Sequence, residues 1–196
     1  MNPIHTGIIG ILAAVIPLVA IFTAISISPW FTWTDSWLSD LGGSTRASAP
    51  IMNSGLMIGA LAGIIFAYGL WKNRIFRGDE GEFGLSTLFL SSFFLFFVGF
   101  LPVDFGMPHT LASFLFFLFS ILTLIILGKV ILRSGNRNYG YFVLFLGTIS
   151  AASFPFFFVA RPWGTNAVIE MITTTSMSLF VLITGIKMIR KEGFTK

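Results

Sequence analysis

Cysteine is absent from the 196 residues, which excludes disulfides, thiolate metal sites, cysteine nucleophiles, cysteine-ligated iron–sulfur clusters and covalently attached c-type haem. Charge is nearly as scarce. Only 10% of residues are Asp, Glu, Lys or Arg, against about a quarter in a soluble domain, so water is not the main solvent of this chain. No HExxH, GxSxG, Walker or EF-hand pattern occurs, and an enzymatic reading must therefore rest on clustering of reactive residues. The two histidines, His5 and His109, fall at opposite ends of the expected fold, which argues against a bis-His haem held by one helix pair.

What the chain does contain is apolar. Hydrophobic residues make up 55%, Phe alone contributes 24, and the mean hydropathy is +0.89. A net charge of +4 with a pI near 9.8 does not signal a nucleic-acid partner here, because the basic residues sit in short clusters between long apolar runs. Six such runs approach the roughly 20 residues needed to cross the hydrocarbon core. They predict helices at about 5–28, 51–71, 83–101, 108–130, 139–160 and 166–188. The first run, Gly7 to Ile27, is too long for a signal-peptide core and lacks a basic leader, so it is expected to be a retained helix. Connections are short except for 29–50, which makes neighbouring helices antiparallel hairpins. The expected fold class is all-α: one polytopic transmembrane domain over 1–196, built as a six-helix bundle.

Ten of the twelve basic residues fall in alternate connections on one side, from Lys72, Arg74 and Arg77 to the cluster around Lys187 and Arg190. The positive-inside rule assigns that side to the cytoplasm. Both termini are then cytoplasmic, and the expected location is the cell (plasma) membrane, with membrane lipids as partners. On the outer side, Trp30, Trp33, Trp37, Leu38 and Leu41 approximate one helical face, which predicts an interfacial helix over 30–41; an ordinary aromatic belt is the alternative. Gly55, Gly59 and Gly63 stand four apart on helix 2 and make a smooth groove for close helix approach. The groove serves either a seam inside the bundle or a homo-oligomer interface.

Acidic and other reactive groups outside the cytoplasmic connections gather at the outer end. Asp35, Asp40, Asp104, His109, Arg161 and Glu170 project there, and Asn53, Ser113, Asn166, Thr173 and Thr174 lie in the first turns of helices 2, 4 and 6. The expectation is an outward-facing polar pocket. Glu170 carries most weight, because an isolated carboxylate one turn inside an apolar helix needs a partner or a proton. Arg161 is its expected counter-ion, in an ion pair that is either inert or functional. His109, with Asp104 nearby, has the chemistry of a proton carrier or metal ligand, or simply of a helix-start residue bonding a loop group. Asp104, His109 and Glu170 form the candidate catalytic set, and Ser39, Asp40, Asn53, Arg161 and Asn166 the candidate ligand-binding set. No cofactor and no metal is specified by these residues.

Several short patterns carry a resemblance. Ser39-Asp40-Leu41-Gly42 before helix 2, Asn53-Ser54-Gly55-Leu56 opening it, Pro102-Val103-Asp104 with His109 around the next outer turn, and Gly164 with Glu170 entering helix 6 resemble the six-helix membrane proteins of archaea and bacteria grouped as domain of unknown function nine-nine-eight. The resemblance spans nearly the whole chain, implies a six-helix bundle with those polar positions acting as a set, and brings no established activity. A more distant likeness is to membrane hydrolases of the alkaline ceramidase type, which hold zinc with Ser, Asp and His. This chain departs from that pattern: it lacks their paired late-helix histidines and has six expected spans where they have seven.

Three readings stay open on the sequence. One is a protein that binds a small polar ligand or lipid head group in the outer pocket. The second is a membrane-embedded hydrolase or transferase acting on a lipid, with or without a metal. The third is an ion- or proton-coupled transporter, for which the nearly apolar inner halves of the helices offer a poor path.

Overall fold

A backbone that leaves water must pair its own N–H and C=O groups, and these apolar runs do so as helices. The computed structural model describes residues 1–160 and 166–191, with 156–160 in backbone only. They form six helices: α1 Pro3–Ser26, α2 Ala49–Lys72, α3 Asp79–Phe100, α4 Met107–Arg133, α5 Arg137–Ala160 and α6 Asn166–Ile189. No strand occurs among the described residues. The helices α1, α2, α3, α4 and α6 are each long and apolar enough to cross a membrane, so this is a multi-pass membrane protein. Phe83, Phe100, Phe114 and Phe145 point outward with more than half of their surface bare, an arrangement suited to hydrocarbon and costly in water.

Most helices outrun the apolar stretches that announce them, because hydropathy marks only the part that suits lipid. α1 begins at Pro3, two residues early, since Asn2 caps it by accepting the Ile4 N–H at 2.9 Å. α3 begins at Asp79 and takes Asp79, Glu80 and Glu82 into its first turn, where the helix dipole favours carboxylates. α4 runs on to Arg133, placing a cation in its last turn.

Each helix packs on the next in chain order and α1 closes the ring against α6, while α4 also reaches α6 across the bundle. The bundle has two unlike ends. The tryptophan end carries the connections 27–48 and 101–106, and the basic end carries the start of α1, the connections 73–78 and 134–136, and the end of α6.

The glycine groove of α2 is filled from within. A Cβ on Gly55 would lie 2.1 Å from the Ala20 Cβ, one on Gly59 2.2 Å from the Pro17 Cγ, and one on Gly63 2.6 Å from the Ser92 Oγ. α1 covers Gly55 and Gly59, and α3 covers Gly63. The glycine face thus forms a seam inside the bundle, one of the two uses expected of it. Buried hydroxyls join the other seams, with Ser91 to Ser120 at 2.7 Å and Thr123 to Thr87 at 2.9 Å between α3 and α4, and Tyr139 to Thr184 at 2.6 Å between α5 and α6. In lipid such bonds contribute about 0.6 kcal/mol each.

The expected interfacial helix over 30–41 does not form. The segment runs through turns to a 3-10 turn at Leu38–Gly42. Its polar side chains take the hydrogen bonds a helix would need: Thr32 Oγ1 donates to the Asp35 carboxylate at 3.0 Å, the Thr32 N–H goes to Ser36 Oγ at 3.2 Å, and the Trp37 N–H goes to Asp40 Oδ2 at 2.7 Å. Asp, Ser and Thr favour turns over helices for this reason. Leu38 and Leu41 then turn inward and are almost fully buried against Ile21, Met52, Leu56 and Phe116, so the segment plugs the tryptophan end of the bundle.

Candidate functional site

Among the described residues, four of the polar groups singled out in the sequence tether this plugging segment from the bundle or the facing loop. Glu170, one turn into α6, is buried, and its Oε2 accepts the backbone N–H of Leu38 at 2.6 Å. Asn166 Nδ2 donates to the Asp35 carbonyl at 3.3 Å. Asn53, in the first turns of α2, donates from Nδ2 to the Gly42 carbonyl at 2.9 Å, so close that a Cβ on Gly42 would sit 2.3 Å from the Asn53 Oδ1. Asp104, on the α3–α4 connection, accepts the Ser44 N–H. Asp40 works within the segment, capping its 3-10 turn. Arg46 lies over the Trp30 ring, 3.9 Å from its centroid, which adds a cation–π contact to the same surface.

His109 has a different task. Its Nδ1 lies 2.6 Å from the Leu101 carbonyl oxygen, which can only accept, so Nδ1 carries the proton and closes the end of α3. Nε2 is left to accept from the Ser113 hydroxyl at 3.3 Å, one helical turn on. A base beside a hydroxyl is the start of a nucleophile. Here the hydroxyl opens onto a cavity of about 40 Å³ shared with Ser39, Thr174 and Glu170 and otherwise lined by apolar side chains such as Met52, Leu56 and Phe117. That volume exceeds the water-sized minimum and leaves no room for an acyl group. A second cavity of about 40 Å³ adjoins it through Leu95, Phe116 and Thr174 and extends down the bundle to Ser91, Ser92 and Ser178. Ser150 and Thr173 also keep buried hydroxyls without a hydrogen-bond partner among the described residues.

Of the candidate catalytic set, Glu170 lines the cavity and His109 stands behind Ser113, while Asp104 is exposed on the loop with its own partner. No group of three His, Asp or Glu side chains able to hold a metal ion occurs among the described residues. Arg161, the expected counter-ion of Glu170, lies outside the described residues. No Lys or Arg among the described residues comes within ion-pair distance of Glu170. Sequence reasoning missed Ser44 and Leu38, because both act through backbone amides that no side-chain pattern announces.

Electrostatics at the loop surface follow from these bonds. The hydrogen bonds from Ser44 hold the Asp104 carboxyl below the usual carboxylate range, with Arg46 a lesser influence. A carboxyl whose folded value is depressed stabilises the fold above its unfolded pKa, about 3.9, and that contribution fades as pH falls through the folded value. Asp104→Asn is therefore expected to lower the melting temperature slightly at neutral pH and not at all once the native carboxyl is protonated. Paired melts at pH 7 and in strong acid read the difference; equal melting at both would remove Asp104 from the tethers.

Residues 11–187 match the family described as "Protein of unknown function (DUF998)". No curated protein and no solved structure matches the chain, and the likeness to alkaline-ceramidase-type hydrolases finds no support in these comparisons. A match over that length makes the chain a member of the DUF998 family.

Proposed function

We propose that this protein crosses the membrane six times with both termini in the cytoplasm, and binds a small polar ligand at Glu170 beneath the plugging segment. The ligand has the size of a water molecule, a hydronium ion or a monovalent cation. The sixth crossing is α5, whose 24 residues span about 36 Å at 1.5 Å each and sit in the ring between α4 and α6. The basic clusters at one end support the orientation, the plasma membrane is the expected site, and membrane lipids are the surrounding partners.

The observation that carries the reading is Glu170 itself. It is a buried carboxyl that accepts the Leu38 N–H and lines a cavity holding three hydroxyl-bearing side chains. A buried carboxylate asks for a proton or a cation, and hydroxyls and carboxylates are the oxygen ligands that hard cations take. A lipid head group is much larger than the cavity and enters only if the segment lifts, so the small ligand is the better fit.

The test uses Trp30, Trp33 and Trp37, which lie on the segment and are each a little over a third exposed. Purified protein in nanodiscs is titrated with acid, and separately with sodium or potassium chloride at fixed ionic strength, while tryptophan emission is followed. The expected result is a saturable change with at least one of these ions, and its loss in Glu170→Gln. Emission that is flat in the native protein, or unchanged by the substitution, overturns the reading.

A further inference from the structure

A larger recess lies at the opposite end. It has a volume of about 880 Å³ and is formed where the start of α1, the α2–α3 connection and the ends of α4 and α6 meet. Four cations line it, Arg74, Arg77, Arg133 and Lys191, against the carboxylates of Asp79 and Glu80. Glu80 is engaged by Arg133 in an exposed ion pair, which among the described residues leaves three cations facing one carboxylate. The floor is apolar, with Ile75, Phe76, Val130 and Met188. We infer that this recess binds a phosphate group carried on an apolar or neutral body, as in the head group of an anionic lipid or a soluble phosphate ester.

Membrane orientation accounts for the sign of these charges and does not account for a recess of ligand size. Nor does the turn chemistry account for Arg74. Arg74 has φ +52°, in the left-handed conformation that ends α2, with the Ile75 N–H bonded back to the Leu70 carbonyl at 3.1 Å. Glycine takes that position most readily, since a Cβ there is strained. Lys191 repeats the pattern after α6 with φ +55°. At both places the fold needs only a left-handed residue, while the recess gains a cation. Guanidinium groups suit phosphate because their planar donors match its oxygens in pairs.

The experiment follows from that separation. Arg74→Gly relieves the turn, so the variant is expected to melt at or above the native temperature while binding anions about five-fold more weakly, the loss of one cation near a charged head group. Arg77→Gln is expected to weaken binding similarly, and Glu80→Gln to strengthen it by freeing Arg133. Native mass spectrometry with phosphatidylglycerol against phosphatidylcholine tests the lipid source, and thermal shift with inorganic phosphate or pyrophosphate against chloride tests the soluble one. Preference for phosphatidylglycerol alone assigns a lipid head group; a shift with the phosphates assigns a soluble ester. No preference for any phosphate anion, or a preference that Arg74→Gly and Arg77→Gln leave intact, overturns the proposal.

Discussion

Gly59→Ala, the addition of one methyl group, should destabilise the bundle by about 3 kcal/mol, at the upper end of the range for overpacking a core. The new Cβ would stand 2.2 Å from the Pro17 Cγ and 2.6 Å from its Cδ, with the Ala13 carbonyl behind. A flexible side chain would swing aside from such a contact. A proline ring cannot, because it is closed onto the backbone of α1, and relief therefore requires the two helices to separate along the seam. Separation would also strip Gly55 from Ala20 and open the contact of Phe66 with Gly10. Alanine is the better helix former by about 1 kcal/mol, which offsets only part of this loss. Leu61→Ala serves as the control, being about half exposed on the lipid side of the same helix, and should leave stability near native. Reversible unfolding in mixed micelles measures both, and a Gly59→Ala protein as stable as Leu61→Ala would mean that the α1–α2 seam is not packed as described.

The seam also indicates what a single sequence can and cannot disclose. Gly55, Gly59 and Gly63 are legible as a close-packing stripe because small residues four apart have few other uses on an apolar helix. The identity of the opposing helix is not legible, since any element offering Ala20 or Pro17 at the right height would serve. Helix positions are legible for a related reason: charge is so scarce that Lys72 to Asp79 and Arg133 to Arg137 punctuate the chain unambiguously. Helix ends are less so, because Asp79, Glu80 and Glu82 look like loop residues and are held in α3 by its dipole.

The plugging segment is not legible from the spacing of its apolar residues. Trp30, Trp33, Trp37 and Leu41 mimic the spacing of a helical face, yet Thr32, Asp35, Ser36 and Asp40 divert the backbone into turns through their own side chains. Periodicity counts apolar positions and is blind to this competition. The polar set is a similar case. Asn53, Asp104, Asn166 and Glu170 are visible as polar groups at one end of the bundle, but their first use is to satisfy backbone atoms of the segment above them. The basic recess escapes sequence reading altogether, because its wall is assembled from four stretches far apart in the chain.

Glu170 separates the two uses of a buried carboxyl, and the second large effect is expected there. Glu170→Leu removes the acceptor of the Leu38 N–H, and a buried donor left unpaired costs about 1–3 kcal/mol. Leucine relieves the burial of a polar carboxyl, so the net loss is expected near 2 kcal/mol, together with looser seating of Leu38 and Leu41 and greater quenching of Trp30, Trp33 and Trp37 by acrylamide. Glu170→Gln keeps a carbonyl oxygen where the carboxylate oxygen stood and should retain the tether, the stability and the quenching profile while losing the response to protons and cations. Asp79→Asn, on the exposed first turn of α3, is the reference and should change stability by less than about 0.5 kcal/mol. Should Leu, Gln and the reference all unfold alike and quench alike, Glu170 neither pins the segment nor titrates beneath it. If Leu alone loosens the plug and Gln alone keeps it closed but silent to ions, one side chain is both the latch of the tryptophan end and its ion-binding group.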